Sequence, residues 1–219
     1  MSARVERLIT SGTFSLDGGT WEVDNNVWII GDERECVVLD APHDAAAIAE
    51  AVAGRRLTAI LCTHAHDDHV AKAVELAGLT GAPIWMHPDD LELWSMTHPD
   101  RRPDEALRDG QTIEVGGTLL RAIHTPGHTG GGICFHAPEL GALFSGDTLF
   151  HGGPGATGRS FSSYPLILSS ITGRLFDLPD ETVVHTGHGD DTTIGAERAG
   201  SKEWPSLTRT RTDRVDRAG

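Results

Sequence analysis

The segment Thr63–His69 limits the possible folds of this chain more than any other feature. It contains three histidines and two aspartates and directly follows an apolar run. That run, residues 57–62, has the length and composition of a buried strand, and helical spacing begins near Asp68. In an extended segment His64 and His66 point to the same side, while the pair Asp68–His69 lies on the first helical turn. Imidazole nitrogens and carboxylate oxygens are ligands of zinc and other first-row metals. The segment therefore predicts a metal site where a strand meets a helix.

Apolar periodicity divides the chain into two halves that each run from strands to helices. Strand patterns occupy residues 5–10, 26–30, 36–39, 57–62 and 83–86, then 119–124, 132–136, 142–145 and 182–185. Helical patterns occupy residues 44–53, 68–76, 89–95 and 165–176. The polar, proline-containing stretch 97–109 is predicted to be an exposed excursion. Two such halves predict an α/β fold in which two sheets stack with helices outside, a four-layer αββα sandwich.

Four further candidate ligands follow apolar strands in the second half. They are His128 in Thr125-Pro-Gly-His-Thr129, Asp147 in Ser145-Gly-Asp-Thr148, and both His185 and His188 in His185-Thr-Gly-His-Gly189. The neighbouring glycines allow tight turns that place a side chain at a strand end. Loops at strand ends commonly carry the binding residues of α/β proteins, so we expect these side chains to join the histidine-rich segment.

The motifs His-X-His-X-Asp-His, Pro-Gly-His-Thr, Gly-Asp-Thr and Gly-His-Gly occur in this order, and together they resemble the metallo-β-lactamase superfamily. The segments 146–150, 158–159, 178–180 and 187–195 are similar to its glyoxalase II-like (hydroxyacylglutathione hydrolase-like) thioesterase branch. The resemblance implies the αββα fold of that superfamily and a site for two divalent metal ions. True β-lactamases of this fold carry a different residue type at the position of Asp147, which disfavours lactam hydrolysis.

The resemblance also implies a role for each of seven residues. The first ion would be held by His64, His66 and His128, and the second by Asp68, His69 and His188, with Asp147 bridging. Zinc is the expected metal, although iron and manganese accept the same donors. Two ions that share a water lower its pKa to about 7 and so supply a hydroxide nucleophile. Asp68 is the expected catalytic residue, placed to orient that hydroxide or move a proton.

Other residues near the motifs have two interpretations each. Arg159 aligns with a basic position of the thioesterase branch, so it either binds a substrate carboxylate or is an ordinary surface residue. Asp67 either caps the following helix or touches metal. His185 either has an ordinary structural role or, like Asp40, is a hydrogen-bonding partner of a metal-bound imidazole. The glycine-rich segment 152–158 is predicted to be a mobile loop facing the substrate. Ordinary structural roles are expected for His43, His87, His98, His124, His136 and His151.

Composition limits the partners of the chain. The formal net charge is −14 and no Lys/Arg-rich run occurs, so a nucleic-acid substrate is not expected. Cys36, Cys62 and Cys134 lie far apart in apolar runs and are predicted to be buried rather than disulfide-bonded. No segment has the pattern of a signal peptide or membrane span, so we expect a cytoplasmic protein that acts on a small molecule. Residues 1–200 are predicted to form one domain and residues 201–219 a short polar tail; the oligomeric state is open.

The favoured function is hydrolysis of a small-molecule thioester, because a thiol of pKa about 8.5 leaves as a thiolate with little help from an acid. Glyoxalase II is longer at its C-terminus, where it binds glutathione, so mycothiol or another low-molecular-weight thiol is left open. A persulfide dioxygenase-like mononuclear iron enzyme also resembles the chain at His64, His128 and Asp147. Its Arg-Gly-Cys-Gly-Arg segment, however, has no counterpart in Phe150–Gly155. A lactonase on the same fold and a non-catalytic binding module are the remaining alternatives, and the complete ligand set disfavours the latter.

Overall fold

Six strands form the first sheet of the computed structural model, which describes residues 3–204. In sheet order they are β1 (Arg4–Leu16), β2 (Gly19–Gly31), β3 (Glu35–Leu39), β4 (Arg56–Leu61), β5 (Ile84–Met86) and β6 (Glu105–Ala106). Strands β1 to β3 pair antiparallel, whereas β3 to β6 are parallel. Parallel neighbours need crossover connections. These carry the helices α1 (Ala45–Val52), α2 (Asp67–Val70), α3 (Ala73–Thr80) and α4 (Leu91–Thr97).

A second six-stranded sheet has the order β14-β13-β10-β9-β8-β7. Its strands are β7 (Thr112–Val115), β8 (Thr118–His124), β9 (Ile133–Ala137), β10 (Ala142–Gly146), β13 (Val183–Thr186) and β14 (Thr192–Thr193). A separate hairpin contains β11 (Leu149–Phe150) and β12 (Gly153–Pro154). Strands β10 and β13 are parallel, and α5 (Tyr164–Ser170) lies between them in the chain and continues as a π-helical turn over Ile171–Leu175. Helix α6 (Ile194–Gly200) follows β14, and short 3₁₀ turns cover Pro88–Asp90, Pro138–Leu140 and Ser201–Glu203.

Alternating side chains of β2 enter two different cores. Trp28 and Ile30 belong to a buried cluster that also contains Phe135 of the second sheet. Ile29 points the other way and belongs to a cluster with Ile48 of α1. A third cluster joins the opposite face of the second sheet to α5 and α6. The layers are therefore helix, sheet, sheet, helix, which confirms the predicted αββα sandwich.

Strands β1 and β2 form a hairpin longer than the predicted strands 5–10 and 26–30. Its two strands pair continuously from Arg4 opposite Gly31 to Leu16 opposite Gly19. Asp17 and Gly18 turn the chain at φ 52° and 79°, the left-handed pair that a two-residue type I′ turn requires. Strand β3 pairs with β2 only from residue 28 onward, so the outer half of the hairpin extends beyond the sheet. Its outer residues alternate polar and apolar side chains, in Thr13-Phe-Ser-Leu16 and Thr20-Trp-Glu-Val-Asp24, so the strand pattern extends further than the prediction placed it.

The predicted excursion over residues 97–109 is wrong at its end. Residues 105–106 form β6 beside β5, and Leu107 is fully buried in the cluster between the sheets. A single large apolar residue among polar and proline residues has no periodicity, so only packing reveals it. The single helix predicted over 68–76 is also wrong, because Lys72 leaves the helical conformation and separates α2 from α3. The helices predicted at 44–53, 89–95 and 165–176 are confirmed as α1, α4 and α5 with its π-helical turn.

Other predictions concern buried thiols and the chain end. Cys36, Cys62 and Cys134 are buried and unpaired, as predicted. Within residues 3–204, none of the helices is long and apolar enough to cross a bilayer. The predicted tail 201–219 begins with a 3₁₀ turn, and the ring of Trp204 lies 5.8 Å from that of Phe176. Residues 205–219 lie outside the described residues.

We expect the substitution Leu107→Ala to lower the free energy of unfolding by about 2–5 kcal/mol, because it leaves a cavity between the two sheets. Chemical denaturation of the purified variant measures this change. Leu119→Ala is the matched control, since Leu119 is 41% exposed on β8. Equal stabilities of the two variants would show that Leu107 does not anchor residues 105–107 between the sheets.

Candidate metal centre

The seven predicted ligands meet at one edge of the sandwich. Those of the first half follow β4, and those of the second half follow β8, β10 and β13. Neither sheet supplies a complete set, because His128, Asp147 and His188 all come from the second sheet. The predicted metal ligands His64, His66, Asp68, His69, His128, Asp147 and His188 are therefore all brought together.

The first donor group contains three imidazoles, those of His64, His66 and His128. Nδ1 of His66 lies 3.0 Å from Nε2 of His64 and 3.0 Å from Nε2 of His128. A tetrahedral zinc ion with bonds of about 2.0–2.1 Å to imidazole holds its donor atoms about 3.3 Å apart. The three nitrogens therefore have the separation expected around one ion.

The second donor group contains Asp68, His69 and His188. Nε2 of His188 lies 3.2 Å from Nε2 of His69 and 3.2 Å from Oδ2 of Asp68, and the latter two atoms are 3.7 Å apart. This group has one carboxylate where the first has a third imidazole. It is suited to a second divalent ion of the same kind.

Asp147 lies between the two groups. Its Oδ2 is 3.5 Å from Nε2 of His128 and 3.5 Å from Nε2 of His188, and its Oδ1 is 3.3 Å from Nε2 of His69. Gly187 permits this approach, since a Cβ there would lie 2.3 Å from Oδ1 of Asp147. One carboxylate thus faces donors of both groups, which is the arrangement expected of a bridging ligand.

The electrostatics of the site also fit bound cations. Burial alone would raise the pKa of Asp147, but the imidazoles of His188 and His69 outweigh it and hold that pKa well below its ordinary value. Burial opposes protonation of His188, yet the carboxylates of Asp147 and Asp68 raise its pKa to about 10. Oδ1 of Asp147 is buried without a hydrogen-bond partner among the described residues. Buried carboxylates that need positive charge, beside imidazoles at ligand spacing, fit two divalent ions.

Backbone and carboxylate oxygens fix the outer nitrogens of three imidazoles. Nδ1 of His69 donates to Oδ2 of Asp40 at 2.8 Å, which confirms the predicted partner role of Asp40. Nδ1 of His128 donates to the carbonyl of Ala156 at 2.8 Å, and Nδ1 of His188 donates to that of Asp24 at 2.7 Å. Such bonds fix the ring orientation, so that Nε2 is the nitrogen that presents its lone pair to a metal once any second proton has left.

Two other candidates do not reach the donors. His185 bonds to Asp191 at 2.9 Å and packs between Trp28 and Phe144, so its ring is structural. Asp67 accepts from the backbone N–H of Ser15, and therefore it anchors the β1–β2 hairpin. His185 thus contacts core rings, and Asp67 joins α2 to the end of β1.

Asp90 is a residue of the site that no sequence motif identifies. Its buried carboxylate accepts from the backbone N–H of Ala65, the hydroxyl of Thr129 and the backbone N–H of Gly131. Burial raises the pKa of Asp90, and the three hydrogen bonds oppose that rise. It therefore joins the loop of His64 and His66 to the loop of His128. No spacing rule links residue 90 to residues 65 and 131, so only the tertiary structure identifies it.

A cavity of about 470 Å³ opens beside the donors. One wall belongs to the β1–β2 hairpin, where the ring of Phe14 lies 5.0 Å from that of His66. The guanidinium of Arg159 lies 4.1 Å from the ring of Trp21 and 5.6 Å from that of Phe14. Arg159 thus lines the cavity instead of lying elsewhere on the surface. Within the predicted loop 152–158, residues 153–154 are the strand β12, whereas Ala156 and Thr157 line the cavity.

A further trio, His87, Asp89 and His124, has donor atoms near one another. The two rings stack face to face, with centres 4.1 Å apart and planes inclined by 12°. Imidazole lone pairs lie in the ring plane, so those of stacked rings run side by side instead of converging on one ion. This trio is therefore not a third metal group in the arrangement observed.

The fold and the site together define the class of this protein: an αββα sandwich with two adjoining metal-donor groups at one edge. The family model described as the metallo-β-lactamase superfamily matches residues 20–188. The chain belongs to this superfamily, whose members are metal-dependent hydrolases, and the resemblance predicted from the motifs is confirmed.

Two relatives illustrate the range of similarity. A protein of Aquifex aeolicus (strain VF5) without an assigned activity is 34% identical over 187 residues, which are 80% of this chain and 89% of that protein. A hydroxyacylglutathione hydrolase of Aeromonas salmonicida (strain A449) is 39% identical over 170 residues. That match covers 75% of this chain but only 61% of that enzyme.

Two solved structures support the fold. The BLEG-1 B3 metallo-β-lactamase has a TM-score of 0.73 at 27% identity, with 87% of this chain and 97% of that chain covered. The protein TTHA1623 in a di-iron-bound form has a TM-score of 0.72 at 29% identity, with 86% and 96% covered. The fold is therefore shared almost end to end with both of these proteins.

Removing the Asp90 carboxylate is expected to destabilise the first donor group. Asp90→Ala leaves two buried N–H groups without an acceptor, so the free energy of unfolding should fall by about 2–4 kcal/mol. Denaturation and metal titration of the same sample would show this loss together with weaker binding of one ion. Asp89→Ala is the matched control, because the Asp89 side chain is 61% exposed. Equal behaviour of the two variants contradicts the role given to Asp90.

Metal loading is expected to release protons at neutral pH. His188, with a pKa of about 10, is protonated in the metal-free site and must lose its proton to bind an ion. Apparent affinity should therefore rise about tenfold per pH unit for each proton displaced, until the pH reaches that pKa. Calorimetric titration in two buffers of different ionisation enthalpy counts the protons. A heat of binding that is identical in both buffers would exclude proton release.

Proposed function

We propose that this protein is a dinuclear metallohydrolase that cleaves a small-molecule thioester, an acyl conjugate of a low-molecular-weight thiol. The observation that carries the proposal is the pair of donor groups that share Asp147 beside a cavity large enough for a small substrate. Two bound ions would supply hydroxide at neutral pH and polarise the carbonyl that is attacked. Side chains of this protein would move the proton and bind the substrate.

Asp68 is the proposed catalytic residue. Its carboxylate is buried, lines the cavity and lies 3.2 Å from Nε2 of His188. Burial raises its pKa, but His69 and His188 outweigh burial and lower that pKa below its ordinary value. A carboxylate that stays ionised at neutral pH can accept a hydrogen bond from the nucleophilic water and take its proton.

A thioester suits this site because its leaving thiolate is weakly basic. A thiol of pKa about 8.5 departs with little need for a positioned acid, whereas an amine does not. The relatives named hydroxyacylglutathione hydrolase support the choice, although the chain spans only 61–64% of the length of three of them. Glutathione is therefore one candidate thiol among several.

Arg159 is the proposed anchor for an anionic group of the substrate. Its guanidinium rests on Trp21 at 4.1 Å, and stacking on an aromatic face restrains an arginine before the substrate arrives. Ser160 next to it donates to Asp17 at the hairpin turn, which holds the loop in place. A bidentate arginine contact selects carboxylates, so the substrate class we propose is an acyl-thiol that carries one.

Zinc is the proposed metal, since five imidazoles and two carboxylates are typical donors for it. Iron and manganese accept the same donors, and TTHA1623, at 29% identity, is described in a di-iron-bound form. A small-molecule substrate in the cytoplasm, with no nucleic-acid partner, completes the proposal. The absence of any basic run in a chain of net charge −14 supports the last point.

Elemental analysis coupled to turnover of an acyl-thiol panel tests the function. We expect about two ions per chain, and loss of turnover of at least about 1000-fold in His66→Ala and Asp147→Ala because each removes a ligand. His136→Ala is the matched control, since His136 lies on β9 outside the donor groups. A single iron with oxygen uptake and no thioester turnover would instead support the dioxygenase. Turnover confined to cyclic esters would support a lactonase.

Substitution of Arg159 tests the anchor separately. For anionic acyl-thiols, Arg159→Gln should lower kcat/KM by about 10–100-fold, because a hydrogen bond to a charged group contributes about 1.5–3 kcal/mol. The change should fall mainly on KM, and uncharged acyl-thiols should be affected little. Arg34→Gln is the matched control, because the Arg34 side chain is 86% exposed and pairs with Asp32. An equal loss on charged and uncharged substrates would exclude the anchoring role.

A further inference from the structure

Asn25 lies directly behind the second donor group, although no motif includes it. It stands on β2 and is only 1% exposed. Its Nδ2 is 3.3 Å from Oδ2 of Asp68, 3.3 Å from Nε2 of His69 and 3.3 Å from Nε2 of His188. These three atoms are the donor atoms of that group. One end of the Asn25 amide therefore faces all three of them at equal distance.

The four atoms form a nearly regular tetrahedron. The six distances between them run from 3.2 to 3.7 Å. The centre of a tetrahedron with edges of about 3.3 Å is about 2.0 Å from each corner, which matches a metal–ligand bond. The amide end of Asn25 is thus positioned as suitably for a ligand as the donor atoms of Asp68, His69 and His188.

The chemistry of a loaded site decides which end of the amide faces the ion. Once an ion takes the lone pairs of His69 and His188, an amide N–H has no acceptor on those nitrogens. Its partial positive charge would also face a dication, whereas the amide oxygen would be attracted to it. The two ends of a carboxamide are nearly equal in size, so the surrounding charges and hydrogen bonds decide its orientation.

His43 can hold the amide in either orientation. Its Nε2 donates to Oδ1 of Asn25 at 2.7 Å. The other neutral tautomer of an imidazole accepts at the same nitrogen, so it would bond to the amide N–H of a turned Asn25. The His43 ring packs against Gly12 of β1, where a Cβ would lie 2.2 Å from Nδ1 of His43. A glycine inside a strand often marks such a close approach. The packing against Gly12 keeps the His43 ring next to Asn25.

We propose that Asn25 is an eighth residue of the metal centre, which turns its amide oxygen to the second ion, with His43 as the positioning residue that holds it. The second ion then has a neutral oxygen ligand that the first ion lacks. Extra oxygen ligands favour metals that accept five or six ligands over strictly tetrahedral coordination. The two positions of the centre therefore differ in metal preference, whatever the substrate is.

Cobalt titration tests this proposal without any activity measurement. The visible absorption of Co²⁺ strengthens as its coordination number falls, so it reports the ligands of each bound ion. Asn25→Leu removes the oxygen at similar volume. It should weaken the second site by about 10–100-fold, leave the first unchanged and intensify the spectrum of the second ion. Unchanged affinity and spectrum in Asn25→Leu would overturn the proposal.

Asn25→Asp decides the question even if the leucine variant does not fold. An oxygen ligand predicts that the aspartate binds the second ion at least as tightly as asparagine does. Weaker binding of the second ion by Asn25→Asp than by the wild type would overturn the proposal. His43→Leu should reproduce part of the Asn25→Leu change in affinity and spectrum, and no change in either would exclude its positioning role.

Asn26→Leu is the matched control for loosening of the loop. Asn26 donates to the carbonyls of Thr186 and Gly189 and so holds the loop of His188. Its loss should leave the spectrum of the second ion as in the wild type. A spectrum altered as in Asn25→Leu would mean that loop position, and not an amide ligand, sets the coordination, which would overturn the proposal.

Discussion

The structure depends on holding seven side chains, each with a metal-donor atom, close together in a buried place. Nitrogen and oxygen lone pairs separated by only 3.0–3.7 Å repel one another unless a cation or a proton lies between them. Hydrogen bonds to the outer atoms of the donor side chains hold them in this arrangement. Asp40 holds the ring of His69, and backbone carbonyls hold those of His128 and His188. Asp90 ties two of the donor loops to each other.

The same constraint explains why the two sheets must stack in one register. The first sheet supplies four of the ligands and the second supplies three, so a slip between the layers would separate the donors. Strand β2 joins the layers at this edge. The backbone N–H of Asn26 donates to the carbonyl of Gly187 at 2.8 Å, and the indole of Trp28 donates to that of Thr186 at 2.9 Å. The site is thus assembled by the contact between sheets.

The wall of the cavity is built differently from its floor. The floor consists of buried ligands, whereas the outer wall belongs to a hairpin that extends beyond the sheet. Two aspartates connect that hairpin to the rest: Asp67 accepts from Ser15, and Asp17 accepts from Ser160. A change in the hairpin would alter what reaches the metals without disturbing their ligands.

Local patterns in the sequence predicted the metal-donor residues and the class of fold. Ligand spacing such as that of His64 and His66 is local, and strand and helix periodicity is local as well, so both are visible without coordinates. Asp40 was accessible for the same reason, since it follows an apolar strand. The roles of Asp90, Asn25 and Leu107 emerge only once the chain has folded. Their contacts join residues far apart in the chain, and nothing in local spacing encodes a distance that arises only when two sheets pack together.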